Sequence, residues 1–229
     1  MYYSSYAEQT MSQFMYRVYG WMALALSLSA AVAYYIAASP AILAFVAKSP
    51  YMLIGVFVAQ LALVMVLSML LLRMSFIVAF TLFMIYAASL GISLSLLFVT
   101  YDVNSLYATF AVTAGMFGAL CLYGYFTKAD LTSLGTIAGM ALFGLILAML
   151  VNMFLQNSMV DMVTSAVGVL LFSALTAYDA QKIKLLAQQL RVDEQTMDKV
   201  AIIGALTLYL DFVNLFLFLL NFMGNRRQD

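Results

Sequence analysis

The sequence predicts an all-α membrane protein, a bundle of seven transmembrane helices. Three observations carry that prediction. Of 229 residues, 66% are apolar and only 9% charged, with a mean hydropathy of +1.03; a soluble domain runs at about 45–50% apolar and about 25% charged. So little polar surface cannot cover a water-facing globule, which excludes a soluble enzyme, a secreted domain and a disordered chain. Apolar runs fall at 18–38, 51–72, 76–99, 105–126, 131–155, 162–182 and 200–223, each long enough for the roughly 20 helical residues that cross a bilayer. The runs are apolar all round rather than alternating, which fits helices and not the strands of a barrel. Seven spans leave little chain over, so residues 1–229 read as a single transmembrane domain.

The first run follows Glu8 and a lone Arg17 instead of a basic start, and it exceeds a cleaved apolar region, so it reads as a span and not a signal peptide. The Tyr-rich beginning (Tyr2, Tyr3, Tyr6, Tyr16, Tyr19, Trp21) suits an interfacial anchor. Ser39-Pro40 and Ser49-Pro50 punctuate the passage to the second run, and Arg73 alone interrupts the second and third. The connections Thr100 to Asn104 and Thr127 to Asp130 are short. Small residues recur at four-residue spacing, Ala111, Gly115 and Ala119 in the fourth run and Gly135 and Gly139 in the fifth, and predict close helix packing inside the monomer. The stretch 185–199 is the one long polar connection, although Lys184 to Leu190 can continue the sixth helix toward it. The 17 methionines and the aromatics read as core and lipid-facing filling rather than a metal-binding stripe. Cys121, the single cysteine, reads as a small packed residue.

Charge narrows the function further. Ten Lys and Arg balance ten Asp and Glu, so nothing points to nucleic acid. The chain has no histidine, which removes His-ligated metals and the usual near-neutral switch. Any proton sensing falls to carboxylates. With seven spans, Arg17, Arg73, Lys128, Lys182, Lys184, Arg191 and Lys199 lie on the N-terminal side, against Lys48, Arg226 and Arg227 opposite. That bias places the N-terminus in the cytoplasm.

Most ionisable residues lie at span ends. Arg73, Asp179 and Asp211 do not, or only barely. An aspartate at the centre of a spanning helix costs about 2.5–3.5 kcal/mol on insertion scales, so its default reading is functional. Asp179 and Asp211 stand symmetrically about position 195, inside the polar connection. Two antiparallel helices bring such residues to equal depth, which leaves open whether they face one another. Thr207, Asp211 and Asn214 share one helical face and give the last span a polar stripe. Plainer readings stand beside these: Arg73 snorkelling from a turn to the interface, Asp179 an interfacial charge paired with Lys182, Asp211 a buried hub with Asn214.

If the aspartates converge, two carboxylates a few ångströms apart share one proton, which makes a proton sensor without histidine. Ionised, the same pair offers hard oxygens to Ca²⁺, with carbonyls and water needed to complete its 6–8 ligands. An arginine able to swap on and off one aspartate would act as a latch.

At these residues the chain resembles the Bax inhibitor-1 family of membrane proteins in its bacterial branch, over essentially its whole length. The strings that carry the resemblance are Val18-Tyr-Gly-Trp-Met22, Thr113-Ala-Gly-Met-Phe-Gly118, Leu122-Tyr-Gly-Tyr125 with Thr127-Lys-Ala-Asp-Leu131, Leu175-Thr-Ala-Tyr-Asp-Ala-Gln-Lys182, and Gly204-Ala-Leu-Thr-Leu-Tyr-Leu-Asp-Phe-Val-Asn-Leu-Phe216. The resemblance implies a seven-helix bundle with the last helix central, a multi-pass protein of the bacterial inner membrane, and a pH-sensitive Ca²⁺ leak. It puts the family's paired aspartates on Asp179 and Asp211 and its latch arginine on Arg73. Some members carry a further acidic residue in the second span, where this chain has only Gln60 and Ser68.

The expected function is therefore a Ca²⁺ leak gated by the aspartate pair and Arg73, with no organic cofactor, working in the lipid bilayer as a monomer or weak homo-oligomer. The alternative is a modulator of a membrane-bound AAA+ protease without ion flux, motivated by the N-terminal segment Met1 to Tyr16 that a protease could grip. An enzyme is not expected. Intramembrane aspartyl proteases also use two aspartates, but Leu210 stands where their second motif needs glycine.

Overall fold

The computed structural model describes residues 2–189 and 194–227, with side chains from Met11 onward except Leu72, Gln189, Glu194 and Gln195. Tyr2, Tyr3 and Tyr6 of the expected anchor and Arg191 of the charge count thus have side chains outside the described set.

Helix α1 (Tyr2–Ala38) is followed by two helices that each begin on a proline, α2 (Pro40–Ala47) and α3 (Pro50–Leu70). Proline has no N–H, and the amides of a first turn have no helical acceptor, so it costs nothing there and its fixed φ starts the helix. After α3 a single 3-10 turn, Leu71–Arg73, reverses the chain, and Ser75 caps α4 (Phe76–Ser95) by accepting the Val78 amide. A break at Leu96 separates the short α5 (Leu97–Thr100). Asp102 then accepts the Asn104 amide at 2.8 Å to open α6 (Val103–Phe126), and Asp130 accepts the Thr132 amide at 2.9 Å to open α7 (Thr132–Leu155). Gln156, left-handed at φ 50°, ends α7. The remaining two helices are the longest after α1: α8 (Ser158–Gln189) and α9 (Glu194–Met223).

Among the described residues, seven segments are long and apolar enough to cross a membrane: Met11–Ala38, Pro50–Leu70, Phe76–Thr100, Val103–Phe126, Thr132–Leu155, Ser158–Gln188 and Thr196–Met223. The all-α, seven-span expectation holds. Two details differ. The segment Pro40–Ala47 is a helix, because proline at its start and the seven apolar residues after it suit one at an interface. Most of 185–199 is helical too: α8 runs on to Gln189 and α9 begins at Glu194, since Lys, Gln and Glu are good helix formers that read as loop only by polarity. The last helix is the most buried, with 61% of its apolar stretch covered by protein against 33% or less in every other span. A lipid-facing helix needs only one covered stripe, so this share marks α9 as enclosed by protein.

The chain forms two compact units: Met1–Thr100 with Ala187–Tyr209, and Tyr101–Leu186 with Leu210–Asp229. In the first, α1 packs along α4 and α3 lies beside α4. Gly91 permits the closest approach, because a Cβ there would stand 2.6 Å from the Ser29 carbonyl oxygen. Buried Gln60 donates to the Ser89 carbonyl at 2.9 Å and to Ser93 Oγ at 3.0 Å, tying α3 to α4. Trp21 packs edge-on against Phe80, 5.0 Å between centroids. The N-terminal half of α9 contributes Asp198, paired with Arg17, and fully buried Tyr209, which sits between the rings of Phe83 and Tyr86.

In the second unit α6, α7 and α8 pack with the C-terminal half of α9. Phe212 meets Phe117 and Phe110 of α6 edge to face, and Phe218 stacks on Phe172 of α8. The small-residue expectation needs correction here. Ala111, Gly115 and Ala119 all face outward, and a Cβ on Gly115 or Gly139 would meet nothing within 4 Å. The close approaches are made by Gly124, Gly135 and Gly168, where a Cβ would stand 2.2 Å from the Ala177 carbonyl, 2.4 Å from the Tyr178 ring and 2.4 Å from the Phe218 ring. Four-residue spacing identifies a face of a helix, but only its neighbours decide whether that face is covered. Of the expected set, Gly135 alone does that work.

Candidate functional site

Asp179 lies near the C-terminal end of α8 and Asp211 in the middle of α9, both within the second unit. Their carboxyl groups meet at hydrogen-bonding range. The equal depth expected from symmetry is thus accompanied by facing. Asp211 is buried, at 6% exposure, whereas Asp179 is half-buried. Oδ2 of Asp211 has no hydrogen-bond donor among the described residues. Such an atom is rare in a folded protein and calls for an ion, a water or a proton.

Three contacts fix the α8 segment that carries Asp179. Ala177 is pressed against Gly124 of α6, and the Tyr178 ring lies against Gly135 of α7. Gln181, buried at 8% exposure, donates to the Ala129 carbonyl at 2.7 Å and accepts the Leu131 amide at 2.9 Å. It thereby satisfies two backbone groups of the α6–α7 connection with a single side chain. One turn further, Lys184 donates to the Tyr125 carbonyl at 2.6 Å. Lys182 is the cation acting on Asp179; it is exposed and its Nζ sits 5.6 Å from the centroid of the Tyr178 ring. Sequence reasoning missed Gln181, Gly124 and Gly135 as supports of the pair. The usable signal was Gln181 itself, a polar residue amid apolar helix two positions from Asp179.

The other expected residues lie elsewhere. Asn214 donates to the Leu210 carbonyl at 2.8 Å and Thr207 to the Ile203 carbonyl at 3.0 Å. Each polar side chain therefore satisfies its own helix, as is common for isolated polar residues in apolar surroundings. Arg73 ends the 3-10 turn between α3 and α4, in the first unit, and is exposed.

The chemistry open to the pair follows from its donor inventory. Two ionised carboxylates are acceptors only, so a hydrogen bond between them requires a proton on one. With the proton gone, two anionic oxygens face each other and need a cation between them. Among the described residues no group of three or more His, Cys, Asp or Glu side chains could hold a metal ion. The pair can therefore hold one shared proton or, once ionised, present its oxygens to a cation.

The family described as "Inhibitor of apoptosis-promoting Bax1" matches residues 11–228. The chain is 48% identical over 215 residues to the inner membrane protein YbhL of Escherichia coli strain K12, covering 93% of this chain and 92% of that one. It is also 44% identical over 224 residues to a protein of Deinococcus radiodurans (96% and 95% covered) and 38% identical over 218 residues to one of Borreliella burgdorferi (95% and 94% covered).

Proposed function

Because the chain belongs to the Bax inhibitor-1 family of membrane proteins, we propose that it is a pH-sensitive Ca²⁺ leak of the bacterial inner membrane. In this reading the Asp179–Asp211 pair is the sensor. A proton shared between the two carboxyl groups holds α8 and α9 together at that height. Its loss leaves paired anionic oxygens through which Ca²⁺ passes as substrate, with water and carbonyls completing its coordination. Arg73 is the latch, a cation able to take the place of the proton on one aspartate. In this reading the N-terminus lies in the cytoplasm and the C-terminus on the opposite side, which the seven-span count and the Lys and Arg bias support.

The observation that carries the reading is the buried Asp211 carboxyl, apposed to Asp179 with one oxygen unpartnered. Ca²⁺ flux against pH, measured in the same proteoliposomes for wild type and Asp211→Asn, tests it. Wild type should conduct with a pH dependence that the variant lacks. An unchanged flux and pH response in Asp211→Asn overturns the reading. A wild type without flux that alters a membrane-bound AAA+ protease, an effect lost on deleting residues 2–12, would assign the chain to the modulator class.

A further inference from the structure

A second polar site lies in the same unit, far along α8 from Asp179. The end of α7, the first turns of α8 and the end of α9 enclose a cleft of about 480 Å³. Its polar wall includes Asn152, Ser158, Asp161, Ser165 and Asn221, and its apolar wall includes Met149 and Phe218. The amides are already spent inside the protein. Asn152 donates to Asp161 Oδ1 at 2.8 Å and accepts the Asn157 amide at 3.0 Å; Asn221 donates to Ser165 at 2.7 Å and accepts from Tyr101 at 3.3 Å. The anionic acceptor lining the cleft is the second oxygen of Asp161, on a half-exposed carboxylate.

What stands opposite that oxygen is the chain's own guanidinium. Arg226 Nη2 lies 3.8 Å from Asp161 Oδ2, beyond hydrogen-bond length, and 3.0 Å from Asn221 Oδ1. The backbone is built to deliver it. Gly224 passes so close to Leu220 that a Cβ would stand 2.3 Å from its carbonyl oxygen. Asn225 then accepts the Asp102 amide at 3.1 Å and donates its own amide to Ser105 at 2.9 Å, and Arg226 bridges Tyr101. The three residues after the last helix are thus strapped to α9 and the start of α6, with the charge at their tip set over the cleft. A loose terminal segment would need none of these bonds.

We propose that this cleft is a cation-binding vestibule whose resident occupant is Arg226, a tethered counter-ion whose side chain an external inorganic cation displaces from Asp161. A guanidinium held at 3.8 Å instead of in a bidentate pair is a replaceable partner, because it gives up little on leaving and stays solvated. The Asp161 carboxylate suits a hard cation such as Ca²⁺, held weakly by that one side chain with water completing the shell. The site is separate from the Asp179–Asp211 pair, and only the flux arm below rests on the leak reading.

Cysteine protection in the full-length, reconstituted protein tests it. Ser158→Cys, on the rim of the cleft, is labelled with a cationic methanethiosulfonate reagent with and without a few millimolar Ca²⁺, in the range where weak sites fill. With Arg226→Gln, Ca²⁺ should slow labelling by about threefold or more. With Arg226→Gln and Asp161→Asn together it should not, and Arg226→Lys should return the behaviour of the parent. Equal protection with and without Asp161, or none in Arg226→Gln, overturns the vestibule. In the same vesicles Arg226→Gln should raise Ca²⁺ flux severalfold. Protection without any flux in wild type keeps the vestibule and removes the leak; flux without protection does the reverse.

Discussion

Gly124 of α6 touches the backbone of α8 at Ala177, leaving no space for even a methyl group: a Cβ would lie 2.2 Å from the Ala177 carbonyl oxygen. Asp179 is two residues further along the same helix, so this contact sets how deep its carboxyl group reaches toward Asp211. Gly124→Ala must push α8 away, because backbone cannot yield as a flexible side chain can. The expected cost is about 1–3 kcal/mol of stability, as for other overpacked sites. Thermal unfolding in detergent checks it, and Gly115→Ala, on an open face, should cost under about 0.5 kcal/mol.

Gln181 holds the α6–α7 connection by two hydrogen bonds, to the Ala129 carbonyl and from the Leu131 amide. Gln181→Ala leaves both backbone groups without that partner, at a cost of about 1–3 kcal/mol. Amide exchange at Leu131 should speed up by at least tenfold, while exchange in the middle of α6 stays as in wild type. Equal exchange at Leu131 in both proteins would show that the clamp is dispensable.

Tyr209 and Ser29 form the corresponding polar contact in the first unit, 2.7 Å apart and fully enclosed. Ser29 has one proton, directed to the Ala87 carbonyl at 2.7 Å or the Ala25 carbonyl at 3.0 Å, so Tyr209 donates. Tyr209→Phe removes a donor and leaves Ser29 its carbonyl, costing about 0.5–1.5 kcal/mol. Ser29→Ala strands a buried hydroxyl and should cost more, about 1–3 kcal/mol. A double variant no worse than Ser29→Ala alone would confirm that the two losses are one interaction.

Asp130 gives a pH signature outside the membrane spans. The hydroxyl of Thr132, and then its amide, hold the Asp130 carboxyl below the usual carboxylate range. A group with a lowered folded value adds stability above its unfolded value and loses it as pH falls through the folded one. The capping contact should therefore be present at neutral pH and disappear in acid. Thr132→Ala should move the Asp130 titration, followed by carboxyl NMR, upward toward the ordinary value. An unmoved titration would mean that the amide alone sets it.

Much of the fold was legible because a membrane span is a one-dimensional demand. Crossing hydrocarbon takes about 20 apolar residues in a row, and the seven runs fall where the seven helices lie. The depth of the aspartate pair was legible for a similar reason, since residues equidistant from a helical hairpin's turn share a height. The supports of the pair were not. Gly124 and Gly168 stand in no repeating pattern, while the patterned Ala111, Gly115 and Ala119 face outward. Polarity also misled at 185–199, where residues read as loop extend two helices.

By itself the sequence determined the membrane class, the number of spans, the absence of histidine and the aspartates as the deep ionisable groups. Each of those is a sum along the chain, independent of neighbours. Only the tertiary structure decided that Asp179 and Asp211 face one another, that Asn214 and Thr207 turn back on their own helix, and that Arg226 reaches Asp161. Facing depends on rotation about a helix axis, about 100° for every residue. In a chain this apolar, that rotation is set by which small residue meets which neighbour, and not by a hydrophobic stripe that the sequence displays.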